Sequence, residues 1–114
     1  MIRGIFAVLM CLFSVSSFSI VCGDAVSTDN PNFCASFKSV ATCYCTDAGL
    51  PAPFCQDMNT LYARMVSMYG SLDAACAAQK HTSKQNCLDN WNCYRKGGSD
   101  STGKVCSSTG IACK

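Results

Sequence analysis

The sequence is poor in charge and in the residues that carry most hydrolytic and metal chemistry. Charged residues make up 14% of its 114 positions, all seven acidic residues are aspartate, and His81 is the one histidine. Because there is no second histidine, the composition argues against a histidine-rich metal site and against a Ser-His-Asp triad. We therefore expect His81 to be an exposed loop residue, and we expect no enzymatic activity, no cofactor and no metal.

The sequence also has few more basic than acidic residues, and it has few long hydrophobic runs. The formal net charge is +2, and it falls to about +1 if Arg3 is removed with the leader described next. So small a charge provides no field to hold nucleic acid or an anionic membrane. No hydrophobic run of membrane-spanning length follows the leader. We expect no nucleic-acid partner and no transmembrane segment in the mature chain.

Residues 1–19 are typical of a secretory signal peptide. Arg3 supplies the positive charge, residues 5–13 form an uncharged apolar run, and small residues follow. Ser17 and Ser19 suit cleavage after Ser19, and cleavage after Gly23 is the alternative. The pattern predicts a secreted or periplasmic protein whose residues 20–114 form a single cysteine-rich helical domain.

Cysteine is the residue in excess, with eleven in the chain. Cleavage after Gly23 would leave nine, hence one free thiol, and Cys22 could instead be lipidated, although residues 19–21 make a poor lipobox. Cleavage after Ser19 leaves an even set, which predicts a disulfide scaffold in an oxidising compartment. That set is Cys22, Cys34, Cys43, Cys45, Cys55, Cys76, Cys87, Cys93, Cys106 and Cys113.

Helical geometry restricts two of the pairings. Cys43 and Cys45 point about 200° apart on a helix, so they should bond different partners rather than form a redox pair. Cys93 leans away from Cys87 on its helix, which predicts a bond to Cys106 or Cys113 in the tail.

Apolar periodicity and capping residues predict four short helices. The first starts at Asn30-Pro31, and the second runs from about Pro53 to Tyr69 and stops at Gly70. Ser71 caps the third, and Thr82 with Gln85 forms a capping box for the fourth, which ends at Gly97. The first helix has an apolar face of Phe33, Phe37, Val40, Ala41 and Tyr44. The second has a stripe of Phe54, Met58, Leu61, Met65 and Met68.

Residues 97–114 are rich in glycine, serine and threonine, without periodicity. They predict a looped tail that is ordered only if its cysteines tie it down. The expected fold is therefore all-α: a small disulfide-rich bundle of about four short helices with an irregular C-terminal tail.

Two short pieces resemble secreted phospholipases A2, with a Cys-Tyr-Cys at Cys43 and a Cys-x5-Cys-Tyr helix at Cys87. Asn90 stands where that family has its base histidine, and Trp91 stands where it has a calcium-binding aspartate. Without an imidazole to activate water, this route to hydrolysis is lost.

A second resemblance covers about twenty residues. Cys45, Gly49, Cys55 and Tyr62, with prolines between the two cysteines, look like the N-terminal part of the TrbM family. Those are exported, cysteine-containing proteins of bacterial conjugation (type IV secretion) systems. The resemblance implies an accessory protein of a transfer machine and brings no catalytic residues.

These features predict a protein that acts by binding. We expect an envelope or secretion-system accessory, or a secreted effector, with a protein partner. One alternative is a carrier of a lipid or small apolar ligand, whose binding face would be Met58, Leu61, Met65 and Trp91. The other is a thiol oxidoreductase, which would need one exposed and reactive cysteine pair.

Overall fold

The computed structural model describes residues 22–114, and within them the fold is all-α, as the sequence predicts. The predicted signal peptide and its cleavage site at Ser19 lie outside these residues. Among residues 22–114, none of the helices has both the length and the hydrophobicity of a membrane-spanning segment. The helices are α1 (Phe33–Asp47), α2 (Ala52–Gln56), α3 (Met58–Tyr69), α4 (Leu72–Ala78) and α5 (Lys84–Lys96), followed by a 3₁₀ turn at Cys106–Ser108.

The described residues form five α-helices where four were expected, because the predicted second helix is broken at Asp57. This residue is extended, with φ −112° and ψ 117°, and its carboxylate accepts hydrogen bonds from the Asn59 N–H and the Thr60 hydroxyl. Asp57 therefore ends α2 and caps α3. The apolar stripe continues across the break, so periodicity alone did not reveal it.

Two other predicted helix starts are displaced by one or two residues. The Asn30 side chain accepts from the Asn32 N–H in a turn that precedes α1, and the helix begins at Phe33 rather than Pro31. At α5 the cap is Ser83, which accepts from the Asn86 N–H, and not Thr82. Thr82 instead accepts from the Asn86 side-chain amide. Ser71 caps α4 as expected.

Aromatic residues of α1 and α5 form the centre of the core. Phe33 and Phe37 lie on consecutive turns of α1 with ring centroids 5.6 Å apart, and Tyr94 of α5 lies 5.7 Å from Phe37. All three are buried. A domain this small buries only a modest apolar core, so its cross-links carry much of the stability.

Five disulfides join α1, α2, α4 and α5 to a neighbouring helix or to the chain ends of the described part. Cys43 and Cys45 have different partners, as helical geometry requires, and Cys93 bonds into the tail. Cys22 is paired, so it is neither a free thiol nor a lipid attachment site in this structure. The bonds are Cys22–Cys43, Cys34–Cys113, Cys45–Cys55, Cys76–Cys87 and Cys93–Cys106.

The tail folds back against α5 and is ordered by its two disulfides. The Cys113 N–H donates to the Tyr94 carbonyl at 2.8 Å, and the Gly98 N–H donates to the Gly110 carbonyl at 2.8 Å. Gly97 permits this close approach, since a Cβ there would lie 2.5 Å from the Gly110 carbonyl oxygen. The tail thus covers the C-terminal end of α5. Another side of that helix lines an apolar groove.

Candidate functional site

An apolar groove with a volume of about 260 Å³ lies where α1, α3 and α5 meet. Some of its wall residues, such as Phe37, Leu61 and Trp91, lie on the helical faces that periodicity predicted to be apolar. From α1 the wall residues are Phe37, Val40, Ala41, Tyr44 and Cys45; from α3, Leu61, Arg64, Met65, Met68 and Tyr69; from α5, Asn86, Cys87, Asn90 and Trp91.

Trp91 anchors the floor of the groove. Its indole is buried and meets the Phe37 ring edge-on, with centroids 4.9 Å apart and an interplanar angle of 85°. The Tyr62 ring lies 5.5 Å from the indole on the α3 side. These contacts hold the floor in one geometry, so a ligand that enters meets a preformed surface.

The far end of α3 forms an exposed apolar rim. Met68 is 57% exposed and Tyr69 is 45% exposed, although both also line the groove. Methionine at such a rim adapts to differently shaped partners, because its side chain is unbranched and polarisable. The apolar stripe of α3 is therefore core at Leu61 and accessible surface at Met68.

Disulfides brace two walls of the groove but leave α3 without a cross-link. Cys45 of α1 is bonded to Cys55 of α2, and Cys76 of α4 is bonded to Cys87 of α5. Between these two braces α3 contains no cysteine and is bounded by Asp57 and Gly70. The wall that carries the exposed rim is thus held by packing alone.

His81 lies at the mouth of the groove, as an exposed residue stacked on Tyr44. The two ring centroids are 3.6 Å apart and the planes are nearly parallel, at 16°. The Tyr44 hydroxyl in turn donates to the Cys22 carbonyl. Burial against the neighbouring ring lowers the pKa of His81, and the nearby Asp24 carboxylate acts weakly in the opposite direction. The shift favours the neutral imidazole, which extends the aromatic wall.

Asn90 places one polar side chain inside the apolar walls. The residue is 8% exposed and lines the groove. Its carboxamide has no hydrogen-bond partner among residues 22–114, whereas every fully enclosed side-chain nitrogen or oxygen there has one. The carboxamide is consequently in contact with the groove and not sealed in the core.

The structure brings together three of the four residues predicted as a binding face. Leu61, Met65 and Trp91 line the groove, but Met58 does not. Met58 is buried at the start of α3 and lines a different, more polar cavity with Lys38 and Arg95. Met58 is the first residue of α3, so it lies at the opposite end of the helix from Met68 and the exposed rim.

Residues 22–114 contain no cluster of metal ligands and no free cysteine. No three histidine, cysteine, aspartate or glutamate side chains converge there in a way that would hold a metal ion. Each of the ten described cysteines is in a disulfide, and both residues are buried in Cys45–Cys55, Cys76–Cys87 and Cys93–Cys106.

Tyr44, His81 and Asn90 are among the groove residues that the sequence did not assign to the binding face. Tyr44 was placed on the core face of its helix, and only the path of the α4–α5 loop brings His81 over it. For Asn90 a signal was present. It follows Cys87 by three residues and precedes Tyr94 by four, so a polar side chain occupies the buried face of α5.

The chain was compared with protein-family models, with curated proteins and with solved structures. No family model matched it. Neither a curated protein nor a solved structure matched it either.

Proposed function

We propose that this is an exported, disulfide-braced binding protein whose groove receives apolar side chains of a protein partner. The observation that carries the proposal is an open apolar groove on a covalently braced frame. Its floor is fixed by the contact between Trp91 and Phe37, and its rim exposes Met68 and Tyr69. Exposed apolar side chains that border a pocket are typical of protein-interaction sites.

The size of the groove favours side chains over a whole lipid. Pockets that enclose a drug-sized ligand have volumes of about 300–1,000 Å³. The groove, at about 260 Å³, lies below that range and is open to solvent. One or two apolar side chains of a partner would fill it, with the rim of α3 covered by the surrounding surface of that partner.

The export part of the proposal is supported by the leader pattern and by the five disulfides. A small domain with five disulfides keeps them in an oxidising compartment, either outside the cell or in the periplasm. The local resemblance to the TrbM family supports a more specific role, as an accessory of a conjugation or related secretion system. Conjugation genes beside its own gene would support that role, and their absence would favour a secreted effector.

The proposal assigns no catalytic step. A thiol oxidoreductase would need an accessible sulfur for attack, whereas three of the five disulfides join residues that are both buried. A quantitative assay of disulfide reduction by glutathione would test this point. We expect the half-buried bonds Cys22–Cys43 and Cys34–Cys113 to be reduced before the three buried ones, and none of the five to exchange with glutathione as fast as a catalytic pair does.

Selection from a displayed library of random peptides tests the binding function. The oxidised protein should enrich sequences with large apolar residues. Met68→Asp should abolish that enrichment, because it places a carboxylate at the apolar rim. Ser67→Asp is the matched control, since it adds the same charge to the neighbouring exposed residue outside the groove. Met68 is exposed, so the fold should tolerate the change, and equal melting temperatures would verify this. Identical enrichment by both variants would contradict the proposal.

A further inference from the structure

Asn90 is the buried polar residue of the groove, and its side chain makes no hydrogen bond to another residue of the described part. Other polar side chains around the groove already have one: the Tyr44 hydroxyl donates to the Cys22 carbonyl, and the Gln79 amide donates to the Ala75 carbonyl. Asn90 as a residue is more than nine-tenths buried, but its carboxamide has no partner among the described residues and is therefore accessible from the groove. An amide that reaches solvent only through an apolar groove depends on a water or a ligand in that groove for its hydrogen bonds.

The chemistry of the carboxamide restricts what the ligand can be. Asparagine presents an acceptor oxygen and a donor NH₂ group side by side. A residue of an extended peptide presents its own N–H and C=O along the same edge, as residues in an antiparallel sheet do when they exchange both bonds. The two pairs of groups match, so a peptide satisfies both halves of the Asn90 side chain.

A fatty acid fits this environment less well. Its carboxylate only accepts hydrogen bonds, so it would leave the Asn90 oxygen without a donor and bring an unneutralised charge between apolar walls. Arg64, which lines the groove, is exposed, and its guanidinium lies 5.6 Å from the centre of the Phe54 ring. The exposed carboxylate of Asp24, also at the groove, would repel an anionic head group.

We propose that the groove binds an extended peptide segment of the partner, with Asn90 as its specificity-determining residue. The carboxamide pairs with the N–H and C=O of one peptide residue, and the apolar side chain of that residue enters between Leu61, Met65 and Trp91. This inference rests on the proposed function, because it specifies how the same groove recognises its partner.

A pair of synthetic probes isolates the backbone contact. The first is a blocked tripeptide of leucine, phenylalanine and leucine, and the second replaces the N–H of its phenylalanine by an ester oxygen. Both are titrated into the oxidised protein while the emission of Trp91, the single tryptophan of the chain, is recorded. We expect the ester to bind about tenfold more weakly, because it cannot donate to the Asn90 oxygen.

Substitution of Asn90 should remove this discrimination. In Asn90→Leu, which is nearly isosteric and apolar, the tripeptide and the ester should bind with equal affinity. The side-chain NH₂ resonances of Asn90 should also shift when the wild-type protein binds the tripeptide. Asn92→Leu is the matched control, since Asn92 is exposed on the same helix and lies outside the groove. It should retain the tenfold preference.

Two further ligands separate failure of this inference from failure of the proposed function. Neutral N-phenyl-1-naphthylamine should bind wild type and Asn90→Leu alike, because it needs only apolar walls. If it binds while the tripeptide and its ester remain equal in wild type, the peptide inference is wrong and the apolar groove stands. If decanoate binds in an Asn90-dependent manner and the tripeptide does not, the ligand is a lipid and the inference is again wrong. If no probe changes the emission of Trp91, both proposals fail.

Discussion

Trp91 and Phe37 meet edge to face, with ring centroids 4.9 Å apart and an interplanar angle of 85°. This contact joins α5 to α1 and at the same time forms the floor of the apolar groove. The stability of the domain and the shape of its candidate site therefore depend on the same pair of rings.

Removal of the Phe37 ring should destabilise the whole domain. Phe37 is buried against Phe33, Trp91 and Tyr94, so Phe37→Ala leaves a cavity and lowers the free energy of unfolding by about 3–5 kcal/mol. Denaturant titration with the disulfides intact measures this loss. Ser39→Ala, at an exposed position of the same helix, should change stability by less than about 0.5 kcal/mol. Similar values for the two variants would mean that the aromatic cluster is not the core.

The two faces of α3 should respond very differently to a carboxylate. Leu61 is 7% exposed, so Leu61→Asp buries an unpaired charge and should cost several kcal/mol. Ser67 is exposed on the same helix, and Ser67→Asp should cost about 0.5 kcal/mol or less. Thermal unfolding monitored by circular dichroism compares them. Equal melting temperatures would show that the inner face of α3 has been misassigned.

The disulfide between Cys93 and Cys106 should appear in non-reducing peptide mapping. Residues 22–114 of the mapped protein should also contain no free thiol, since all ten cysteines there are paired. Proteolysis between Gly97 and Val105, followed by mass spectrometry, should yield the two peptides joined. A Cys106–Cys113 bond would leave the tail a separate loop and would contradict the observed packing against Tyr94.

Acid should weaken the attachment of the tail loop through Asp100. Partial burial acts to raise the pKa of Asp100, but hydrogen bonds from the Thr102 and Thr28 hydroxyls and from the Lys104 and Thr102 N–H groups outweigh it and lower the pKa to about 2. Because the folded-state pKa lies below the unfolded value, the stabilisation is complete above about pH 4 and is lost as the pH falls towards 2.

Asp100→Asn tests this linkage. The variant should be less stable than wild type at pH 7, by about 1–2 kcal/mol for the weakened hydrogen bonds, and the difference should shrink between pH 4 and pH 2. Urea titrations at several pH values give the comparison. Asp29→Asn, which alters an exposed carboxylate, is the control. A stability difference that does not vary with pH would exclude a role for the Asp100 charge.

Local signals in the sequence predicted much of the fold. Ser71 and Gly70 mark the boundary between α3 and α4 because each has a local physical role: Ser71 caps with its hydroxyl, and Gly70 adopts φ +87°. The separate partners of Cys43 and Cys45 followed from helical geometry alone. The break at Asp57 was missed because it preserves the apolar spacing from Phe54 to Met58. The periodic pattern therefore gives no sign of the break.

The site was less predictable because it depends on contacts between distant segments. Leu61, Met65 and Trp91 were found from apolar spacing, but spacing also selected Met58, which faces another cavity. The stacking of His81 on Tyr44 joins residues 37 positions apart, and no local pattern encodes it. Asn90 could have been noticed as a polar residue on a buried helical face, although only the folded chain reveals that it lacks a partner.

The dissociation constant of a peptide selected from the library tests the groove most directly, with Trp91 emission as the signal. Wild type and Ser67→Asp should bind this peptide with the same affinity and show a saturable change in emission. Met68→Asp should bind it at least about tenfold more weakly, because a carboxylate at the apolar rim must lose its hydration. Equal affinities for the three proteins, or an unchanged Trp91 emission at saturation, would contradict the assignment of the groove as the binding site.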